Sequence, residues 1–102
     1  MTPYIYLFIR EDLGPAQQII QTAHAVDDLY RTIKPGDRTN HMVLFSIRSE
    51  QDLEETSMYL KDNDIHHEMF YEPDVLAHTA IATEPIRGEK RNLFRKFKMK
   101  KN

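Results

Sequence analysis

Gln17, Gln21 and His24 fall on one side of a segment with helical periodicity, and Asp12 stands just before it. Gln21 and His24, three residues apart, share a helix face, so an amide and an imidazole can be presented together. His24 is either a partly buried histidine bonded to backbone or carboxylate, or a residue facing a substrate. Asp12 can bond the N–H groups of its own loop, or point into the cleft outside the carboxyl end of the preceding strand, where open α/β sheets bind ligands. Thr79 and Thr83 bracket a later apolar stretch, and their hydroxyls can pair with backbone or with a ligand. Five histidines are present, but His66 and His67 are adjacent and point to opposite faces of a strand. His41 and His78 each open a strand, and only neighbouring strand ends would bring them together. With no cysteine and no close histidine pair on a helix, no metal site is expected. The chain has no Ser-His-Asp order, nucleophile elbow, Walker loop or dinucleotide fingerprint.

These residues need a scaffold, and the scaffold is legible around positions 4 to 33. Tyr4 to Ile9 is apolar at every position, as a strand covered on both faces should be. Gly14 and Pro15 then break the strand and open a helix, Pro fixing φ at a position whose N–H has no helical partner. Ile19, Ile20, Ala23, Val26, Tyr30 and Ile33 repeat at helical spacing and are expected to form its buried face, opposite Gln17, Gln18, Gln21, His24, Asp28 and Arg31. The first turn of such a helix carries unpaired N–H groups that favour a phosphate or another anion.

Lys34 to Asp37 is a break, and the polar loop beyond it has room for a single helical turn. Residues 41–48 read as a second, interior strand. Ser49 can cap a second helix whose buried stripe is Leu53, Thr56 and Leu60, with Glu50 and Asp52 favoured in its first turn. Residues 65–71 read as an edge strand, 72–74 as a loop, and 78–83 as a fourth strand of small residues that permit close backbone approach. Two helical crossovers and one short link predict an α/β domain: a three-layer α/β/α sandwich with a mixed four-stranded sheet.

The length of 102 residues allows one domain and one modest core. Residues 1–86 are expected to form it, with 87–102 as a basic helix or tail belonging to the same unit. No apolar run approaches a membrane span and no signal-peptide pattern opens the chain, so the expected location is cytoplasmic, with no membrane partner. The net charge of -2 conceals an asymmetry, because residues 87–102 hold eight Lys and Arg against Glu89, giving +7 and leaving -9 elsewhere. Such a tail is either a solvated, frayed terminus or a contact for a polyanion. From Gly88 onward the pattern predicts an amphipathic basic helix. Its Phe94 and Phe97 read as residues pinning it to the sheet, although among Arg91, Arg95 and Lys98 they could also stack on bases.

Arg10-x-Asp12-Leu13-Gly14, followed by Ile20-Gln21-Thr22-Ala23-His24-Ala25, resembles the archaeal and eukaryotic type of peptidyl-tRNA hydrolase, the second class of that enzyme. There the segment reads like R-x-D-L and then G-K-x-A-A-Q-x-x-H-A. Thr79 to Pro85 is similar to the family's terminal T-x-L-A-x-G-P strand, and the element order agrees, so the resemblance covers nearly the whole chain. It implies metal-independent, cofactor-free hydrolysis of the ester joining a peptide to the terminal ribose of tRNA, by a fold that is dimeric in several members. It places Asp12, Gln21, His24 and Thr79 in the site or its supporting shell. Two departures stand out. The family's Gly-Lys falls on Ala16-Gln17, and its Asp-Ala-Gly-x-Thr-Gln run has no clean counterpart in Met69 to Asp74, where Glu68, Glu72 or Asp74 is the available carboxylate. Two functions follow from this. In an active, diverged hydrolase, Asp12, Gln17, His24 and Thr79 would do the chemistry, while Gln21, Arg91, Arg95 and Lys98 would bind substrate. Alternatively, the same fold is a noncatalytic module for tRNA, another polyanion or a protein.

Overall fold

The computed structural model describes residues 1–101. The apolar run near the N-terminus forms β1 (Ile5–Arg10), with Ile5 to Ile9 all buried. After the Gly14-Pro15 turn comes α1 (Pro15–Tyr30), then a short 3₁₀ turn (Pro35–Asp37) and β2 (Met42–Ile47). Next are α2 (Glu50–Asp62), β3 (His67–Glu72), β4 (Ala77–Thr83) and a 3₁₀ segment (Gly88–Phe94). The sheet is mixed, in the order β2-β1-β4-β3, with β1 and β2 parallel and β4 antiparallel to both β1 and β3.

Alternation along β1 divides the core into two. Ile5, Leu7 and Ile9 face α1 and pack with Ala25, Leu29, Ala80 and Ala82. Tyr6 and Phe8 face the other way, against Leu53 and Leu60 of α2, Phe45, Ile81 and Phe94. One helix therefore covers each face of the sheet. α2 begins as its sequence suggests, Ser49 Oγ accepting from Asp52 N at 3.3 Å, and Leu53, Thr56, Ser57 and Leu60 are buried. Ser49→Ala is expected to cost about 1 kcal/mol, measurable as a lower urea midpoint.

Three expectations are corrected. The buried stripe of α1 is Gln21, Ala25 and Leu29, while Ile19 and Ile20 are 73% and 46% exposed. Small residues decide this: Ala25 meets Ala80 and Ala82, which lets the helix lie close to β4, and Gln21 can be buried because polar partners await it. Secondly, β2 is not an interior strand but the end of the four-strand order. The outer side of β2 is covered by the C-terminal tail, in which Ser46 N donates to Lys98 O at 3.0 Å and Lys100 N donates to Leu44 O at 2.8 Å. Thirdly, the tail is not an α-helix but a 3₁₀ segment that leads into this bridge. It enters through Gly88, whose φ of +64° is a left-handed conformation that glycine adopts without strain. Phe94 and Phe97 pack on the core, as their spacing suggests.

β3 and α2 are tied by a histidine. His67 Nδ1 donates to Ile65 O at 3.0 Å, so its Nε2 is the atom that accepts from Ser57 Oγ at 2.7 Å. Burial holds the His67 pKa below the ordinary histidine value, the backbone bond to Ile65 opposing it. Below about pH 6.5 the unfolded chain therefore takes up a proton that the folded chain resists. Stability should fall as pH drops from that point to the lowered folded pKa, and level off below it. Thermal melts from pH 7.5 to 5 should show this slope, and His67→Asn should flatten it.

Candidate functional site

A bulge in the sheet builds the site. β3 and β4 pair in register from His67↔Thr83 to Phe70↔Ala80, but Tyr71 then pairs with His78, leaving Thr79 without an opposite residue. A bulge re-aims the side chain at the extra position. Thr79, 0% exposed, turns toward α1 and its Oγ1 donates to Gln21 Oε1 at 2.9 Å. The bulge is braced by groups at the same end of the sheet. Arg10 Nη1 donates to His78 O at 3.0 Å, and His78 N donates to Glu50 Oε2 at 2.7 Å.

Gln21 is the centre of the network. Its Nε2 donates to Gln17 Oε1 at 3.0 Å and to Glu72 Oε1 at 2.9 Å. With a hydroxyl proton on its oxygen and a carboxylate on its nitrogen, the amide can stand only one way round. Gln21 is 1% exposed with both N–H donors and its oxygen paired, which is why a glutamine lies where an apolar residue is expected. Gln17 and Glu72 bond the same nitrogen, so they are held side by side. Gln17 keeps its own NH₂ to donate, and Glu72 keeps Oε2 to accept; neither has a partner among the described residues. The adjacent α1 start has no side-chain cap, and the Ala16 and Gln17 amides find no acceptor among those residues. The result is a cluster of donors next to a carboxylate, reached from solvent through exposed Gln17 and half-buried Glu72.

His24 lies about one helical turn beyond Gln21, exposed, with its ring stacked on Phe70 at 4.7 Å and 17°. Asp12 stands apart from the network. Both of its oxygens receive Arg10, Nε to Oδ1 and Nη2 to Oδ2, each at 2.9 Å. Those bonds hold its carboxyl below the usual carboxylate range, burial opposing them. Asp12 therefore orients the arginine that braces the bulge. Thr83 is used within the sheet, its Oγ1 accepting from Tyr6 N at 2.9 Å.

The expected basic group lies elsewhere. Arg91 Nε donates to Tyr6 OH at 2.8 Å, on the α2 face of the sheet, opposite the face that carries Gln21 and Thr79. Arg95 lines the same recess as Arg91, and Lys98 sits on the bridge beside β2. Gln17, Gln21, Thr79 and Glu72 thus converge, with His24 flanking them, while Arg91, Arg95 and Lys98 do not join them. Of the three carboxylates considered from sequence, Glu72 is the one that reaches Gln21. It lies at the end of β3 rather than in a loop. No sequence signal marks the bulge, but the polar match between Gln21 and Glu72 is visible once the strand is extended to residue 72. Among the described residues no group of three His, Cys, Asp or Glu is placed to hold a metal.

No protein-family model matches the chain, and no curated protein matches it. Among solved structures it is similar to Atu0240, a protein of unknown function from Agrobacterium tumefaciens, with a TM-score of 0.69 and 12% identity over 99% of each chain. That likeness extends over the full α/β fold, with its mixed four-stranded sheet, and at this identity it speaks for the fold alone.

Proposed function

We propose that the chain is a diverged peptidyl-tRNA hydrolase with a fold of that enzyme's second class, and that it cleaves the ester between a peptide and the terminal ribose of tRNA. The observation that carries this reading is the Gln21 amide, which joins Gln17, Glu72 and Thr79 from three elements at the carboxyl end of β1. Resemblance in sequence supplies the reaction; the network supplies a place for it. Glu72 takes a proton from water as its oxygen attacks the ester carbonyl, and returns that proton to the departing ribose oxygen. The carbonyl oxygen, as it becomes negative, is met by the Gln17 side chain and the free amides of α1, dipoles fixed in place before reaction. Gln21 and Thr79 hold Glu72 and Gln17 in position, and His24 lines the approach.

The second reading, a noncatalytic module for RNA, another polyanion or a protein, is favoured by one observation: of Gln17, Gln21, Glu72 and Thr79 only Glu72 is charged, and Arg91 and Arg95 lie on the other face of the sheet. Purified protein incubated with N-acetylated aminoacyl-tRNA distinguishes the two. Release of the acid at neutral pH supports hydrolysis. Intact substrate that nevertheless binds the protein in a salt-dependent manner supports the module.

A further inference from the structure

The recess on the α2 face has its own chemistry. Its cavity of about 530 Å³ lies between β1, β2 and the C-terminal 3₁₀ segment, within the size range of small-molecule sites. One wall is polar and fixed. Arg91 is held by its Nε bond to Tyr6 OH at 2.8 Å and lies over the Tyr4 ring at 4.1 Å. A guanidinium clamped at Nε and stacked on an aromatic ring has little freedom left to lose, and both terminal nitrogens remain as a fork for an oxyanion. Those nitrogens have no partner among the described residues. Tyr6 is 3% exposed and accepts the arginine's proton, while its own O–H finds no acceptor among them. Arg95 also lines the cavity, and among the described residues it has no acidic partner and no carboxylate lines the cavity. The rest of the lining is mostly apolar and includes Val43, Phe45, Phe97 and Met99.

We infer that this recess binds a phosphate monoester carrying a planar ring, of the nucleotide class, with the phosphate on Arg91, Arg95 and the Tyr6 hydroxyl and the ring against Phe97 and Met99. Two guanidinium groups and a buried hydroxyl supply more donors than a carboxylate accepts, and they match the three oxygens of a terminal phosphate. Half-buried Phe97 and exposed Met99 line the same recess and give the ring an apolar surface to pack on. The inference is independent of ester hydrolysis, which uses the other face of the sheet.

Titration calorimetry with 5′-AMP, ribose 5-phosphate, adenosine and inorganic phosphate tests it. 5′-AMP should bind at least about tenfold more tightly than either fragment, since both walls are then used. Arg91→Met and Arg95→Met should each weaken 5′-AMP by about tenfold or more, as expected for lost bonds to a charged group. Tyr6→Phe should weaken it while keeping the ring stack, and Glu72→Gln should leave it unchanged. Exposed Arg95 provides a variant that does not threaten the fold. A short single-stranded RNA with and without a 5′-phosphate locates the source: phosphate-dependent RNA binding identifies a strand terminus, and binding of 5′-AMP alone identifies the free nucleotide. Affinity for 5′-AMP no greater than for phosphate, or equal in wild type and both arginine variants, overturns the inference.

Discussion

Glu72→Gln is expected to lower the rate of peptide release by about 10²-fold or more while leaving the melting temperature nearly unchanged. The substitution separates two duties of one side chain. An amide oxygen at this position can still accept from Gln21 Nε2, so the bonds joining α1, β3 and the bulge persist. What disappears is a group able to take a proton from water. Loss of activity with an intact fold assigns that step to Glu72. An unchanged rate would move the base elsewhere, and a collapse in stability would show that the charge itself holds the network. Measuring kcat and KM separately sharpens the result, because a base acts in the transition state and its removal should fall on kcat.

Phe94→Ala is expected to cost about 3–5 kcal/mol, a large share of the roughly 5–15 kcal/mol available to a domain of this size. Phe94 is 3% exposed and its ring lies 3.8 Å from that of Tyr6 at an angle of 7°, within reach of Phe8, Phe45 and Phe97. Truncation opens a cavity beneath the segment that brings the tail to β2. The loss should therefore spread outward: the Ser46 amide, which donates to Lys98 O, should exchange its hydrogen faster. Urea unfolding and hydrogen exchange together check this. A cost below about 1 kcal/mol would indicate an end that contributes little to the core, as expected of a frayed terminus.

Apolar periodicity located the strands and helices, because runs such as Tyr4 to Ile9 and the Ser49-capped stripe of α2 have only one good place to go. It misjudged which face of α1 is buried. Hydrophobic pattern favoured Ile19 and Ile20, whereas packing favoured Ala25 against Ala80 and Ala82, and a satisfied glutamine costs little to bury. Gln21, His24 and Thr79 could be picked out by resemblance. Their geometry could not, since it depends on a one-residue bulge at Thr79 that alternation does not reveal. Glu72 is one of three candidate carboxylates in the sequence, because the family's Asp-Ala-Gly-x-Thr-Gln run has no clean counterpart here; the structure places it at the end of β3. Charge alone associates Arg91, Arg95 and Lys98 with the site, and charge does not tell one face of a sheet from the other.

In the proposed reaction the Gln17, Gln21, Glu72 and Thr79 network directs water onto an ester. The most direct measurement is to incubate the purified chain with N-acetylated aminoacyl-tRNA in ¹⁸O-water and weigh the released acid by mass spectrometry. Release should scale with protein concentration, with one ¹⁸O in the new carboxyl group. Release no faster than in the protein-free control would contradict it.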